Sequence, residues 1–240
     1  MLFGQRLYVK TMSEILNRSE AADSKKKILI IDDHPMVRER LRDLIDREED
    51  LIVRGEADCV RDALVAIETH EPDVAIVDLS LKESHGMDLI KDIKARFVEV
   101  QVLVISMYDE DLYAERALQA GARGYIDKQK ATTHILTAIR KVLGGEIYLS
   151  EKMTSSFLND MTSNRPVPAH TPIAGLSDRE LQVLEGIGLG RNTREIAERL
   201  HVQMKTVETY RGRIKQKLGL SNAAELSRYA LQWCKKPSST

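Results

Sequence analysis

Two stretches decide the fold: Ile28-Leu29-Ile30-Ile31-Asp32-Asp33 and Val74-Ala75-Ile76-Val77-Asp78. Each is a short apolar run rich in β-branched residues that ends on acid, the pattern of a strand buried on both faces of a parallel sheet. Such strands deliver their next residues to the carboxyl edge, where ligands bind in open α/β sheets. Acids far apart in sequence therefore converge on one pocket. Three carboxylates sharing it repel one another unless a hard cation such as Mg2+ offsets their charge through oxygen ligands.

Reading outward from these runs, short apolar segments alternate with longer amphipathic ones from Lys27 to Gly145. Strands are expected at Ile28 to Ile31, Ile52 to Glu56, Val74 to Val77, Val100 to Ile105 and Gly124 to Ile126. Helices are expected at Pro35 to Arg47, Val60 to His70, Met87 to Phe97, Asp111 to Ala120 and Thr132 to Leu143, the last stopped by Gly144-Gly145. Five βα units in a row imply an α/β, doubly wound, five-stranded parallel sheet of flavodoxin-like size.

Residues 162 to 171 hold Pro166, Pro168, Ser, Asn and Thr without an apolar period and read as linker. Ser150 to Leu158 fits either a helix or that linker. Beyond Pro172 the pattern is wholly helical. Ser177 followed by Glu180 is a capping box that opens a helix to about Leu189. Further helices are expected at Glu195 to Leu200, Val202 to Leu218 and Asn222 to Trp233, a four-helix module containing a helix-turn-helix. The expected division is an N-terminal arm without fixed structure over 1–26, an α/β domain over 27–148, a linker over 149–174 and a helical domain over 175–236. Met12 is an alternative start.

The 240 residues are 42% hydrophobic and 30% charged, enough to bury a core. Two distant cysteines, Cys59 and Cys234, suggest neither disulfides nor a metal finger, which favours a reducing cytoplasm. No apolar run reaches the roughly 18 residues of a membrane span, and the N-terminus lacks the features of a secretory signal. The net charge of −1 hides an asymmetry: residues 176–236 hold 12 Lys+Arg against 7 Asp+Glu, and the remainder is acidic. A basic module suits a nucleic-acid partner, and an ordinary solvated surface accounts for it equally well.

Four motifs in order, Ile31-Asp32-Asp33-His34-Pro35, Asp78-Leu79-Ser80-Leu81, Val104-Ile105-Ser106-Met107 and Gly121 to Lys128, resemble the receiver domain of bacterial two-component response regulators. Leu176 to Glu180 and Lys205 to Gly219 resemble a LuxR-type helix-turn-helix. The combination is similar to the NarL/FixJ subfamily of transcription factors and covers residues 27–236.

That resemblance implies that Asp78 accepts a phosphoryl group from a sensor histidine kinase or phosphotransfer protein. It implies that Asp33, Asp78 and the Ser80 backbone carbonyl bind Mg2+, with Asp32 acting through metal-bound water. Lys128 would contact the phosphoryl oxygens, Ser106 would supply the hydroxyl that moves to the phosphate, and Tyr125 would be the aromatic that follows it inward. It further implies a receiver that promotes its own phosphorylation and dephosphorylation and is not otherwise an enzyme. The output would be a homodimer on double-stranded DNA, driven by change around helix 4, strand 5 and helix 5. On the recognition helix, Glu208 and Thr209 are expected to touch bases, and Lys205, Thr206, Arg211 and Arg213 to touch phosphates, with Gly212 at the surface. Lys215 and Lys217 fit DNA contact or a solvated face equally.

Three departures stand out: Lys82 and Gln129 where proline is common, and Ser106 where threonine is usual. An aspartyl-phosphate hydrolase would, by resemblance, carry a second Asp where Ser80 stands. A DNA-binding protein with a vestigial receiver would have lost a pocket acid or Lys128. His34 and His85 read as surface histidines without a ligand partner.

Overall fold

A computed structural model of the chain describes residues 25–81, 86–162 and 172–234. Residues 1–24 of the expected N-terminal arm, Lys82, His85 and most of the Pro-containing linker lie outside these residues; Lys26, expected in that arm, instead opens the first strand.

Five strands, β1 (Lys26–Ile31), β2 (Leu51–Ala57), β3 (Val74–Asp78), β4 (Gln101–Ser106) and β5 (Gly124–Asp127), form a parallel sheet in the order β2-β1-β3-β4-β5. Helices α1 (Pro35–Ile45), α2 (Val60–His70), α3 (Gly86–Arg96), α4 (Glu110–Ala120) and α5 (Ala131–Leu143) connect and follow them. The alternation of the strands sorts the two faces. Leu29, Ile31, Ala75, Val77, Val102 and Val104 pack under α2, α3 and α4. Ile28, Ile30, Val74, Ile76, Leu103 and Ile105 pack under α1 and α5. Burial on both faces is why Ile28 to Ile31 of β1 and Val74 to Val77 of β3 carry no polar residue before the acids that follow them.

Register brings the strand ends together. Ile31 pairs with Val77, Asp78 with Ile105 and Ser106 with Asp127, so Asp32, Asp78, Ser106 and Lys128 lie along one edge. The chain reverses direction across the sheet between β1 and β3, the crevice where such sheets bind ligands. Gly86 lets α3 start directly beneath the pocket, since a methyl there would run into the Asp78 carbonyl.

Ser150 to Leu158, open between helix and linker in the sequence, lies in helix α6 (Glu151–Thr162) with its preceding residue. Met153 is buried and Phe157 half-buried against the core under α4, which explains the helix: its apolar face has a docking surface. Four helices follow: α7 (Asp178–Gly188), α8 (Thr193–Arg199), α9 (Met204–Leu218) and α10 (Ala223–Cys234). The Ser177 capping box is formed as expected, and Asn192 with Glu195 forms a second. Leu184, Ile187, Ile196, Leu200, Val207, Ile214 and Leu226 make a separate core for this module. Among the described residues no helix is long and apolar enough to cross a membrane.

Candidate phosphoacceptor pocket and nucleic-acid interface

The carboxyl edge gathers the acids. Asp32 and Asp78 are fully buried and Asp33 nearly so. Lys128 donates to Asp78 Oδ2 at 2.7 Å and stands 2.7 Å from Asp32 Oδ2. The Ser80 N–H donates to Asp78 Oδ1 at 3.1 Å. Burial pushes the Asp78 carboxyl up, Lys128 pulls it back, and the Asp32 charge adds to the rise. Burial also works against the Lys128 ammonium, but Asp78 and Asp32 hold its pKa above the usual lysine range. One ammonium among three acids leaves the pocket short of positive charge.

Ligand atoms of Asp32, Asp33, His34 and Asp78 lie within 4.8 Å of one another. Asp32 Oδ2 faces the Lys128 ammonium and Asp33 Oδ1 the His34 ring, and buried oxygen-rich donors of this kind suit a hard divalent cation. His34 differs from its sequence reading: it is exposed, yet its Nδ1 lies 3.0 Å from Asp32 Oδ1 and 2.7 Å from Asp33 Oδ1. Its backbone N–H also donates to Asp32 Oδ1 at 2.9 Å. Spacing missed this because the acids precede the histidine directly and the chain turns back on itself at the strand end.

Ser106 is buried beside the acids, and its hydroxyl accepts from the Tyr108 N–H at 3.1 Å. Tyr125 already stands inward, 1% exposed, with its hydroxyl donating to the Tyr108 carbonyl at 2.8 Å. Burial pushes the Tyr125 hydroxyl well above the usual tyrosine range. Tyr108 is a node that sequence reasoning missed. It stacks on Tyr113 with centroids 4.8 Å apart, accepts the Tyr125 hydroxyl on its carbonyl, and lies 5.9 Å from the Arg199 guanidinium of the helical module. Nothing local in the sequence marks it, because these partners come from α4, β5 and the helical module.

The helical module rests on the α4 side of the sheet. Arg116 of α4 donates to the Leu176 carbonyl (2.9 Å), the Ile173 carbonyl (3.2 Å) and Asp178 Oδ1 (3.1 Å). His201, in the turn between α8 and α9, places Nε2 3.7 Å from Asp33 Oδ2.

On α9, Lys205, Thr206, Thr209 and Arg213 line a shallow groove together with Gln203 and Tyr210, two residues not singled out in the sequence. Glu208, Thr209, Gly212 and Arg213 are exposed as expected. Glu208 accepts from the Thr193 hydroxyl at 2.9 Å, and Arg211 donates to the same hydroxyl at 3.0 Å, so both lean toward the start of α8 rather than into the groove. Thr209 is exposed, and its hydroxyl donates to the Lys205 carbonyl at 3.0 Å. Lys217 is an internal strut: it donates to Glu180 at 2.6 Å and to the Gly175 carbonyl at 3.1 Å. Burial raises the Glu180 carboxyl, but Lys217 more than reverses this and holds it below the usual range. Gly212 has open space where a Cβ would stand.

Residues 28–140 match the response regulator receiver domain family and residues 174–230 the bacterial regulatory proteins of the luxR family. The chain is 37% identical over 211 residues to oxygen regulatory protein NreC of Staphylococcus carnosus, spanning 86% of this chain and 97% of that protein. NreC of Staphylococcus aureus is 38% identical over 211 residues with the same coverage. Among solved structures, the RcsB response regulator of Salmonella typhimurium is similar at 26% identity and a TM-score of 0.61, over 87% of this chain and 98% of that one. RcsB from Salmonella enterica serovar Typhimurium bound to promoter P1flhDC with the phosphomimetic BeF3- is similar at 26% identity and a TM-score of 0.57, over 87% and 99%. A parallel sheet with an acid-and-lysine edge, joined to a capped four-helix module and matched along nearly the whole length of known regulators, places this chain in the NarL/FixJ subfamily of two-component response regulators, which pair a receiver domain with a LuxR-type helix-turn-helix.

Proposed function

We propose that Asp78 is the phosphoacceptor of this response regulator, and that its phosphorylation by a sensor histidine kinase or phosphotransfer protein controls binding of residues 175–236 to double-stranded DNA in the cytoplasm. The carrying observation is the Asp78 carboxylate itself: buried, fixed at Oδ1 by the Ser80 N–H and at Oδ2 by Lys128, and facing two further acids.

Asp33, Asp78 and the Ser80 carbonyl would hold Mg2+, with Asp32 acting through metal-bound water. When bound, the ion supplies positive charge to the equatorial oxygens of the phosphoryl group, where positioning and electrostatics carry phosphoryl transfer. Lys128 would turn from Asp32 and Asp78 to the phosphoryl oxygens, a short move because its ammonium already lies between them. Ser106 would offer its hydroxyl to the same group, and Tyr125, linked to Tyr108, would report the change. The receiver thus promotes its own phosphorylation and dephosphorylation.

For the output, the α9 groove supports phosphate contacts by Lys205, Thr206 and Arg213, and the exposed Thr209 beside them suits contact with a thymine methyl. Glu208 and Arg211 reach DNA by leaving Thr193. The promoter-bound RcsB structures support reading this helix as the DNA reader, and a homodimer follows from the limited specificity of one small helix. Since α9 is exposed in the docked arrangement, phosphorylation acts on how two modules are paired and placed rather than by unmasking the helix. The division into a receiver over 27–148, a connector over 149–174 and a DNA-binding domain over 175–236 is part of the same proposal.

Incubation with acetyl phosphate and Mg2+, followed by intact-mass measurement, tests the assignment. Wild type gains one phosphoryl group and Asp78→Asn gains none; an unlabelled wild type or a labelled variant removes it.

A further inference from the structure

Asp32 and Asp33 are joined by one peptide group, and that group is held from outside the pocket. The Asp32 N–H donates to the Ala57 carbonyl at 3.0 Å, which ties the strand end to β2. The Asp32 carbonyl accepts from Arg38 Nη1 at 2.6 Å. Because a peptide is planar, the direction of this carbonyl fixes how the backbone leaves Asp32 and enters Asp33, and with it where both side chains start. The Asp32 carboxylate carries the constraint inward. Its Oδ1 accepts from the His34 N–H at 2.9 Å, and its Oδ2 stands 2.7 Å from the Lys128 ammonium that also meets Asp78.

Arg38 runs against the preference of its own helix. It lies near the start of α1, toward the positive end of the helix dipole, in a helix with no acid in its first turn. Its side chain is nevertheless mostly buried. Glu56 of β2 steers it there, with Oε2 accepting from Arg38 Nε at 2.9 Å. Glu56 Oε1 accepts from Arg42 Nε, one turn further along α1, at 2.7 Å. Burial works against the Glu56 carboxylate, but Arg42 and Arg38 hold it below the usual range, so it stays charged at neutral pH. Arg38 thus spans a carboxylate and a carbonyl with one planar fork, a geometry that the point charge of a lysine does not reproduce. Arg42 meets the carboxylate and, among the described residues, not the peptide.

We propose that Arg38, steered by Glu56, is a positioning residue of the phosphoacceptor pocket: it fixes the peptide between Asp32 and Asp33 so that both acids are set for Mg2+ before the ion arrives. This rests on the proposed metal role of Asp32 and Asp33. Arg38 acts through the backbone and has no contact with the ion or the phosphoryl group.

The test uses the full chain, with Mg2+ affinity measured by calorimetry and hydrogen exchange of the backbone amides at residues 32–34 followed by mass spectrometry in metal-free protein. Arg38→Met is expected to bind Mg2+ about tenfold or more weaker than wild type, the low end of the effect of losing an outer-shell partner. Exchange at residues 32–34 speeds up in the same variant. Arg42→Ala takes a guanidinium from the same carboxylate and lowers the melting temperature, yet keeps wild-type Mg2+ affinity and exchange. Arg38→Lys keeps a cation beside Glu56 without the fork; it recovers melting temperature but not affinity, and it carries the test should Arg38→Met not fold. Equal Mg2+ affinities in wild type and the Arg38 variants overturn the proposal. Equal losses in Arg38→Met and Arg42→Ala overturn it too, since they would mark general loosening, as does full affinity in Arg38→Lys, since charge alone would then suffice. Acetyl-phosphate labelling of the same samples separates the two readings: labelled wild type with equal affinities removes only the role of Arg38, and wild type that neither binds Mg2+ nor takes label removes the parent reading as well.

Discussion

At the residue scale the pocket is an unbalanced charge cluster. Asp32, Asp33 and Asp78 share one ammonium, so removing an acid relieves repulsion while removing the lysine exposes it. Asp78→Asn is expected to raise the melting temperature measured without divalent ions, even as it abolishes labelling. Lys128→Ala is expected to cost about 3–5 kcal/mol in denaturant unfolding, because it strands buried carboxylates. A neutral outcome for Lys128→Ala would mean that the acids are largely protonated without it. These residues were legible in the sequence because each sits at the end of a strand or within two residues of it, where the apolar run announces burial and direction. His34, Tyr108 and His201 were not, because no period or spacing connects them to the acids. Only the folded register and the docking of a second module do.

At the scale of elements, the helices of the output module are set by their ends. Ser177 and Asn192 cap α7 and α8 with paired Glu residues, and Gly219 closes α9 in a left-handed turn at φ of 67°. Ser177→Ala should lower stability by about 1 kcal/mol in the same unfolding assay. Helix positions were readable to within a residue or two because caps and apolar period agree. The fate of individual cations on α9 was not. Lys217 and Arg211 have the same spacing as DNA-facing residues, but one braces Glu180 and the other turns to Thr193. Lys205→Ala and Arg213→Ala, which face the open groove, should weaken binding to all DNA sequences alike and lower the salt-dependence slope by about one each, measured by titration at several ionic strengths. A loss confined to one sequence would instead mark a base contact.

At the scale of the whole molecule, the interface between the two modules carries a half-buried glutamate whose carboxylate has no hydrogen-bond partner among the described residues. Glu185 of α7 faces Arg199 and Arg191 on its own module and Asp109 across the interface, close to Tyr108 and Tyr113. Burial pushes its carboxyl above the ordinary glutamate value. Its contribution to docking is therefore fully present below the undocked pKa and is lost as pH rises through the docked one. Compaction of the two modules, followed by small-angle X-ray scattering, should increase toward acid in wild type, and Glu185→Gln should hold the acid-like compaction through neutral pH; parallel pH profiles for the two proteins would contradict this. The two-domain plan itself was legible from composition and motif order. How the modules meet was not, because Arg116, Glu185, Arg199 and His201 all read as ordinary solvated helix or turn residues until they face one another.

The central claim is that chemistry at Asp78 governs DNA binding, and the most direct measurement is the promoter affinity of one protein sample before and after labelling with acetyl phosphate and Mg2+. Wild type is expected to bind about tenfold or more tighter once labelled, within the usual range of allosteric coupling, while Asp78→Asn treated in the same way stays unchanged. Equal affinity of labelled and unlabelled wild type would contradict the account.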